Sequence, residues 1–233
     1  RLMKPGVLPI QGPPGAGKSY TASHTIIDLI NSGKKIGVTA LSHKVITNLL
    51  QKIWDLKDKL SDEIRDSFKI CQNTEHNDET PWFTDKSKDK LDAVIPNAQV
   101  IGGTAFFWAK EDNEELVDYL FVDEAGQVSL SDTLAVSPAS QRLVLLGDPQ
   151  QLQQPQQGVH PDGTEVSALA HILKDKQTIE EDEGVFLSKS WRMHPSICDF
   201  ISEQFYSGRL KAQEDMAKQE IIGHSDLNVA GLS

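Results

Sequence analysis

The sequence predicts an α/β fold, a parallel sheet with helices on both faces. Three observations carry this reading. Short apolar runs alternate with amphipathic segments along most of the 233 residues. The first apolar run leads directly into a Gly-rich loop and then a helical pattern. The composition, 38% hydrophobic and 24% charged, suits a chain that buries roughly 70% of its unfolded surface without disulfides or metals.

Strands are expected at 7–10, 36–41, 98–101, 119–122, 143–146 and 185–187. Pro9 counts against the first, because it cannot donate to a central ladder. A helix is expected over 19–30, with Ala22, Ile26, Leu29 and Ile30 on one face and Gly33 as its stop. A second is expected over 44–60. Residues 61–97 are polar and broken by Pro81 and Pro96, and read as an insertion. Residues 153–163, with Pro155, Gly158, Pro161 and Gly163, read as a loop.

The formal charge is −11, and nine of the negative charges sit in two stretches, 111–118 and 180–183, which read as solvated loops or helix ends. No basic stripe is visible, so nucleic-acid contacts would need local donors rather than a positive field. Cys71 and Cys198 form no CxxC, and no apolar run has the length of a membrane span; a reducing, cytoplasmic setting is expected. The first residue, Arg1, points to a fragment or a processed chain. The seven histidines show no metal spacing.

Gly12-Pro-Pro-Gly15-Ala16-Gly17-Lys18-Ser19 fits the phosphate-loop pattern GxxxxGK[ST] in full. Its glycines let main-chain N–H groups wrap a triphosphate, and the following helix start adds positive potential. Pro13 and Pro14 lack that donor, so Gly15, Ala16, Gly17, Lys18 and Ser19 supply it, with Tyr20 next in line beside the nucleotide. Lys18 should reach the β- and γ-phosphates, and the Ser19 hydroxyl should ligate Mg²⁺. The run 120–122 ends in Asp123 and Glu124: the first suits Mg²⁺, the second a general base that orients water. Gln127 follows on the next loop. Asp123-Glu-Ala-Gly126-Gln127 also fits the DxxGQ switch of small GTPases, but no NKxD guanine-reading motif occurs; a nucleotide kinase fits the later blocks poorly.

Two further blocks follow, Leu143-Val-Leu-Leu-Gly147-Asp148-Pro149-Gln150-Gln151-Leu152 and Ser190-Trp191-Arg192-Met193-His194-Pro195. With GPPGAGKS and VDEAGQ they occur in the order and rough spacing of superfamily 1 helicases. The sequence most resembles the subfamily holding the nonsense-mediated-decay RNA helicase and the replication and repair nuclease-helicases. The stretches QQPQQGVHPDGTEVSALAHIL and SWRMHPSICDFISEQFYSGRL look like bacterial proteins that join a RecB-like nuclease to such a helicase. The resemblance covers most of residues 5–210, the insertion excepted.

This resemblance implies a P-loop NTPase with a RecA-like sheet, and ATP with Mg²⁺ at the site. Lys18 and Ser19 would bind phosphate and Mg²⁺, Asp123 and Glu124 would be the Mg²⁺-linked acid and the catalytic base, and Gln151 would sense the γ-phosphate. Arg192 would contact the γ-phosphate from the second domain, and Trp191 would stack on adenine where the family usually has Tyr. Thr39, Ser42 and His43, in the block after the second strand, and Thr104 stand where the family grips single-strand backbone. Phe106, Phe107 and Trp108 read as core in preference to base-stacking residues; Met193 and His194 read as packing and turn residues. Lys34 and Lys35 read as a solvated helix end. The expected domains are 1–183, the first RecA-like unit, and 184–233, the start of a second. The family's later arginine-bearing helix has no counterpart after Leu210, so the chain is expected to be truncated and weak in hydrolysis alone. Expected partners are single-stranded nucleic acid, DNA favoured over RNA, the rest of the second domain, and a fused nuclease domain. The alternative function is a nucleotide-dependent binding module without productive turnover.

Overall fold

In the computed structural model, residues 3–77, 79–151 and 166–219 are described. The strands are β1 (Gly6–Gln11), β2 (Ile36–Thr39), β3 (Ile70–Asn73), β4 (Phe83–Asp85), β5 (Val100–Gly102), β6 (Tyr119–Val122), β7 (Arg142–Gly147), β8 (Val185–Phe186), β9 (Lys189–Ser190) and β10 (Lys211–Ala212). The helices are α1 (Lys18–Asn31), α2 (His43–Asp55), α3 (Asp62–Arg65), α4 (Lys88–Val94), α5 (Ala105–Trp108), α6 (Leu130–Val136), α7 (Ala168–Leu173) and α8 (Pro195–Phe205). β1 to β8 form one sheet in the order β4-β3-β5-β2-β6-β7-β1-β8, and every pairing in it is parallel.

Alternation along the central strands sends side chains into two separate cores. Tyr119, Phe121, Val144 and Leu146 pack with Ile26, Ile46 and Ile53, the buried stripes of α1 and α2. Leu120, Val122, Leu143 and Leu145 pack with Trp108 and Leu169 on the other face. Both faces are covered, so these strands are near-continuous apolar runs, as a parallel sheet requires. α1 stops where expected: Gly33 N–H donates to Ile30 O and Lys34 N–H to Leu29 O.

Pro9 is compatible with a strand paired on both sides. Gly6 and Gly12 donate to Gln141 and Gly147 on the β7 side, so odd-numbered residues of β1 face β8. β8 begins pairing only at Ile10, so the missing Pro9 N–H falls where no ladder bond is due.

The expected insertion at 61–97 holds β3 and β4, which extend the sheet beyond β5. Gln72 hides the first of these. It is fully buried, yet satisfied: its Nε2 donates to Thr47 Oγ1 (2.9 Å), and its Oε1 accepts from Trp82 Nε1 (3.2 Å). The second helix ends at Asp55, short of Leu60, and a 3₁₀ turn covers Lys57–Lys59. Lys35 is also corrected. It is half-buried, its Nζ donates to Ile95 O (2.8 Å), and its backbone N–H donates to Asp118 (2.8 Å). The expected loop at 153–163 lies outside the described residues.

β8 is an edge strand of the main sheet, although it follows residue 184. From Lys189 the chain builds a two-stranded parallel sheet, β9 with β10. α8 packs there through Cys198, with Tyr206 and Leu210 in a third small core. His194 caps α8: its Nδ1 accepts from Ser196 N–H, Pro195 takes the first turn, and Met193 packs against that core.

Candidate nucleotide cleft and strand groove

β1, β6 and β7 lie side by side, so the loops leaving their carboxyl ends converge at one edge of the sheet. The phosphate loop closes on itself through Ala16 N–H to Pro13 O (3.0 Å). Lys18 Nζ donates to Gly12 O (2.8 Å), which lays the ammonium across the loop. Gly15 has φ +73° and tolerates no side chain: a Cβ there would sit 2.5 Å from Arg192 Cβ. That close approach is used. Trp191 N–H donates to Gly15 O (2.9 Å), and Ser190 Oγ to Pro14 O (3.3 Å). The segment that follows β8 is therefore docked on the phosphate loop.

The resulting cleft, of about 400 Å³, is lined by Lys18 and Ser19 of the loop. Glu124, Gln151 and Arg192 line it too, with Lys52 from α2 and Trp191 at the rim. A larger apolar recess of about 770 Å³ adjoins it, walled by Tyr20, Phe186, Leu187 and Trp191. Trp191 is 57% exposed and belongs to both spaces, so it is not a core residue. Tyr20 is likewise exposed, its ring 4.0 Å from that of His24. Such a pair of open aromatic faces beside a phosphate cup suits a flat heterocycle.

Asp123 lies behind the cleft, 5% exposed. Its Oδ1 accepts from the N–H of Glu124 (3.0 Å), whose own φ is +54°. Burial, then the charge of Glu124, pushes the Asp123 carboxyl up to about 6; Lys18 and Lys52 oppose this. The Ser19 hydroxyl in the cleft and the buried Asp123 carboxylate behind it are hard oxygen donors, the ligand type Mg²⁺ takes. The residues present therefore fit Mg²⁺.

Burial of Asp123 makes the stability of the fold depend on pH. The folded pKa is raised, so at pH 7 the ionised carboxylate destabilises the fold by something on the order of 3 kcal/mol. The penalty fades as pH falls through about 6 and is gone below the unfolded value near 3.8. Asp123→Asn is expected to raise stability at pH 7 by about 1–2 kcal/mol, once burial of the new amide is subtracted. Urea melts at pH 7 and pH 4 check this: the gain should vanish at the lower pH, and an equal gain at both would refute the assignment.

The loops after β6 and β7 meet backbone to backbone. A Cβ on Gly126 would fall 2.4 Å from Asp148 O, and one on Gly147 would fall 2.4 Å from Gly126 N. Ala125 N–H donates to Leu146 O (2.7 Å) across the same contact. Gln127 is half-buried; its N–H closes the turn onto Glu124 O (2.8 Å), and it does not line the cleft.

A separate groove of about 490 Å³ opens at the carboxyl ends of β2 and β5. Thr39, His43 and Thr104 line it together, with Phe106. Ser42 is the exposed N-cap of α2, its Oγ accepting from Val45 N–H (3.3 Å). Burial, then Lys86, lowers the His43 pKa, against Glu75; its Nδ1 has no partner among the described residues. Phe107 and Trp108 are core, as expected, but Phe106 is 89% exposed over the groove.

Two family models, each described as an AAA domain, match residues 56–154 and 164–229. The DNA replication ATP-dependent helicase/nuclease DNA2 of Mus musculus is 25% identical over 228 residues, 96% of this chain and 21% of that protein. Its counterpart in Schizosaccharomyces pombe is 27% identical over 204 residues, 86% of this chain and 14% of that protein. Helicase SEN1 of Saccharomyces cerevisiae is 33% identical over 100 residues, 40% of this chain and 4% of that protein. An Arterivirus nonstructural protein 10 (helicase), solved with DNA, shares the fold: TM-score 0.55, 15% identity, 88% of this chain and 42% of that one. The chain is similar to ATP-dependent helicase/nucleases over most of its length and shares the fold of a solved helicase. It spans 21%, 14% and 4% of the length of these curated relatives.

The fold brings the expected nucleotide residues into one cleft, with Asp123 and Gln127 set back from it and Gly12 engaged by Lys18. Further residues take part that carried no expected role. Lys52 reaches the cleft from α2. Phe186 and Leu187 wall the recess from the strand expected at 185–187. Asp148, 2% exposed, accepts from Tyr206 OH at 2.6 Å, and no local pattern announces that pair.

Proposed function

We propose that this helicase domain binds MgATP in the cleft and hydrolyses it to drive movement along single-stranded nucleic acid. The observation that carries the reading is the convergence of Lys18, Ser19, Glu124, Gln151 and Arg192 on one cleft over the phosphate loop. Main-chain N–H groups of Gly15 to Ser19 and the Lys18 ammonium hold the triphosphate. Ser19 and Asp123 would hold Mg²⁺, which would supply positive charge to the triphosphate. Glu124 aims the attacking water, Gln151 senses the γ-phosphate, and Arg192 stabilises its developing charge. Tyr20 and Trp191 hold the base.

The strand runs over the groove of Thr39, His43, Thr104 and Phe106, with Ser42 at the adjoining helix start. Hydroxyls, N–H groups and an exposed ring suit backbone gripping at a net charge of −11. DNA is favoured over RNA, on the likeness to replication nuclease-helicases. A second lobe begins at Lys189, where the chain leaves the main sheet, and the whole protein adds the rest of that lobe and a nuclease domain. Among the described residues no helix is long and apolar enough to cross a membrane.

Titration with a fluorescent nonhydrolysable ATP analogue tests this directly. Binding should need Mg²⁺ and be competed by ATP; absence of Mg²⁺-dependent binding would defeat the proposal.

A further inference from the structure

The Asp148 carboxylate joins two parts of the molecule that the nucleotide mechanism treats separately. Its Oδ2 accepts from Gln151 Nε2 (3.1 Å), whose side chain lines the triphosphate cleft, and from Tyr206 OH (2.6 Å) at the end of α8. Its Oδ1 accepts from Gln150 N–H (3.2 Å). Both Asp148 and Tyr206 are 2% exposed, so water does not compete for these bonds.

A second link runs beside the first. Gln150 Nε2 donates to Gln177 O (3.3 Å). The Gln177 side chain accepts from both Ser207 N–H and Ser207 Oγ (3.0 Å each) and donates to Gln204 O (2.9 Å). Two consecutive glutamines after β7 thus reach the same end of α8 by two routes. The other end of α8 follows Trp191 and Arg192, which touch the cleft. The path from Gln151 through Asp148, Tyr206, α8 and Arg192 returns to the cleft where it began.

We propose that Asp148 and Tyr206 are a positioning pair that sets the posture of α8, and through it Arg192, according to what Gln151 contacts in the cleft. The proposal rests on the nucleotide reading above. When Gln151 turns its amide to a γ-phosphate, Asp148 Oδ2 loses one donor and Tyr206 becomes its sole side-chain partner. When the γ-phosphate leaves, the amide returns and shares that oxygen. Burial and the facing carboxylate both raise the Tyr206 pKa, so its hydroxyl stays a donor in either state. Two donors on one buried acceptor give the element two arrangements for the nucleotide to bias.

Tyr206→Phe removes the hydroxyl and leaves the ring in its small core. Amide hydrogen exchange over residues 195–210, read by mass spectrometry on the 233-residue chain, compares MgADP with a nonhydrolysable MgATP analogue. Wild type should show slower exchange there with the analogue than with MgADP. Y206F should bind both nucleotides within about threefold of wild type and show no such difference. A full difference in Y206F would reduce the pair to a fastening and overturn the proposal, as would its absence in a wild type that binds both. If wild type binds neither, the nucleotide reading falls first and this inference with it. Should Y206F fail to fold, Gln151→Ala breaks the path at the cleft end. It must also lose the difference, and its persistence would overturn the coupling.

Discussion

Glu124→Gln is expected to lower single-turnover ATP hydrolysis by about 10²–10⁴-fold while MgATP binding stays within about twofold of wild type. The substitution keeps shape. Glutamine fills the same space, and the backbone N–H of residue 124 still donates to Asp123 Oδ1. What it removes is the carboxylate that can take a proton from water at the cleft wall. A secondary effect runs the other way. The Glu124 charge is one cause of the raised Asp123 pKa, so removing it lets Asp123 ionise more readily and hold a cation better. Tight binding with little turnover is thus the expected phenotype. Rapid-quench hydrolysis, with and without a single-stranded oligonucleotide, alongside equilibrium binding, separates the two quantities. Unchanged hydrolysis would remove Glu124 from the role of base.

Lys18→Ala should weaken nucleotide binding by roughly 10²-fold or more. An ammonium that donates to two phosphate oxygens contributes about 1.5–3 kcal/mol per charged hydrogen bond. The fold itself should tolerate the change. Lys18 stands at the first turn of α1, where alanine is a good helix former, and the internal bond it gives up is the one to Gly12 O. Isothermal titration with an ATP analogue gives the affinity, and a thermal melt the stability. A variant that melts normally but binds as tightly as wild type would place the triphosphate elsewhere.

The parts of this molecule readable from sequence are those written in local pattern. The runs ending at Ile10, Val122 and Leu146 are apolar throughout because both faces of a parallel sheet are covered. The phosphate loop and the acid pair follow such runs directly. β3 and β4 were illegible because they are short and the first carries Gln72, a polar residue whose partners, Thr47 and Trp82, come from elsewhere in the chain. Phe106 shows a finer limit: three adjacent aromatics look alike in sequence, and only the half-turn of α5 decides that the first faces solvent while the next two face the core. The Asp148–Tyr206 pair spans 58 positions and has no periodic signature. Lys52 reached the cleft for a similar reason, since the polar face of an amphipathic helix says nothing about which loop it overlooks.

The contact between Gly126 and Gly147 constrains how this site could be re-tuned. With two main chains pressed together and no room for even a methyl group, Glu124 and Gln151 ride on one welded unit. Neither can be shifted alone by an ordinary substitution nearby. Variants that alter the timing of the cycle should therefore arise at the far ends of the unit, in α8 or the phosphate loop, and seldom at the weld.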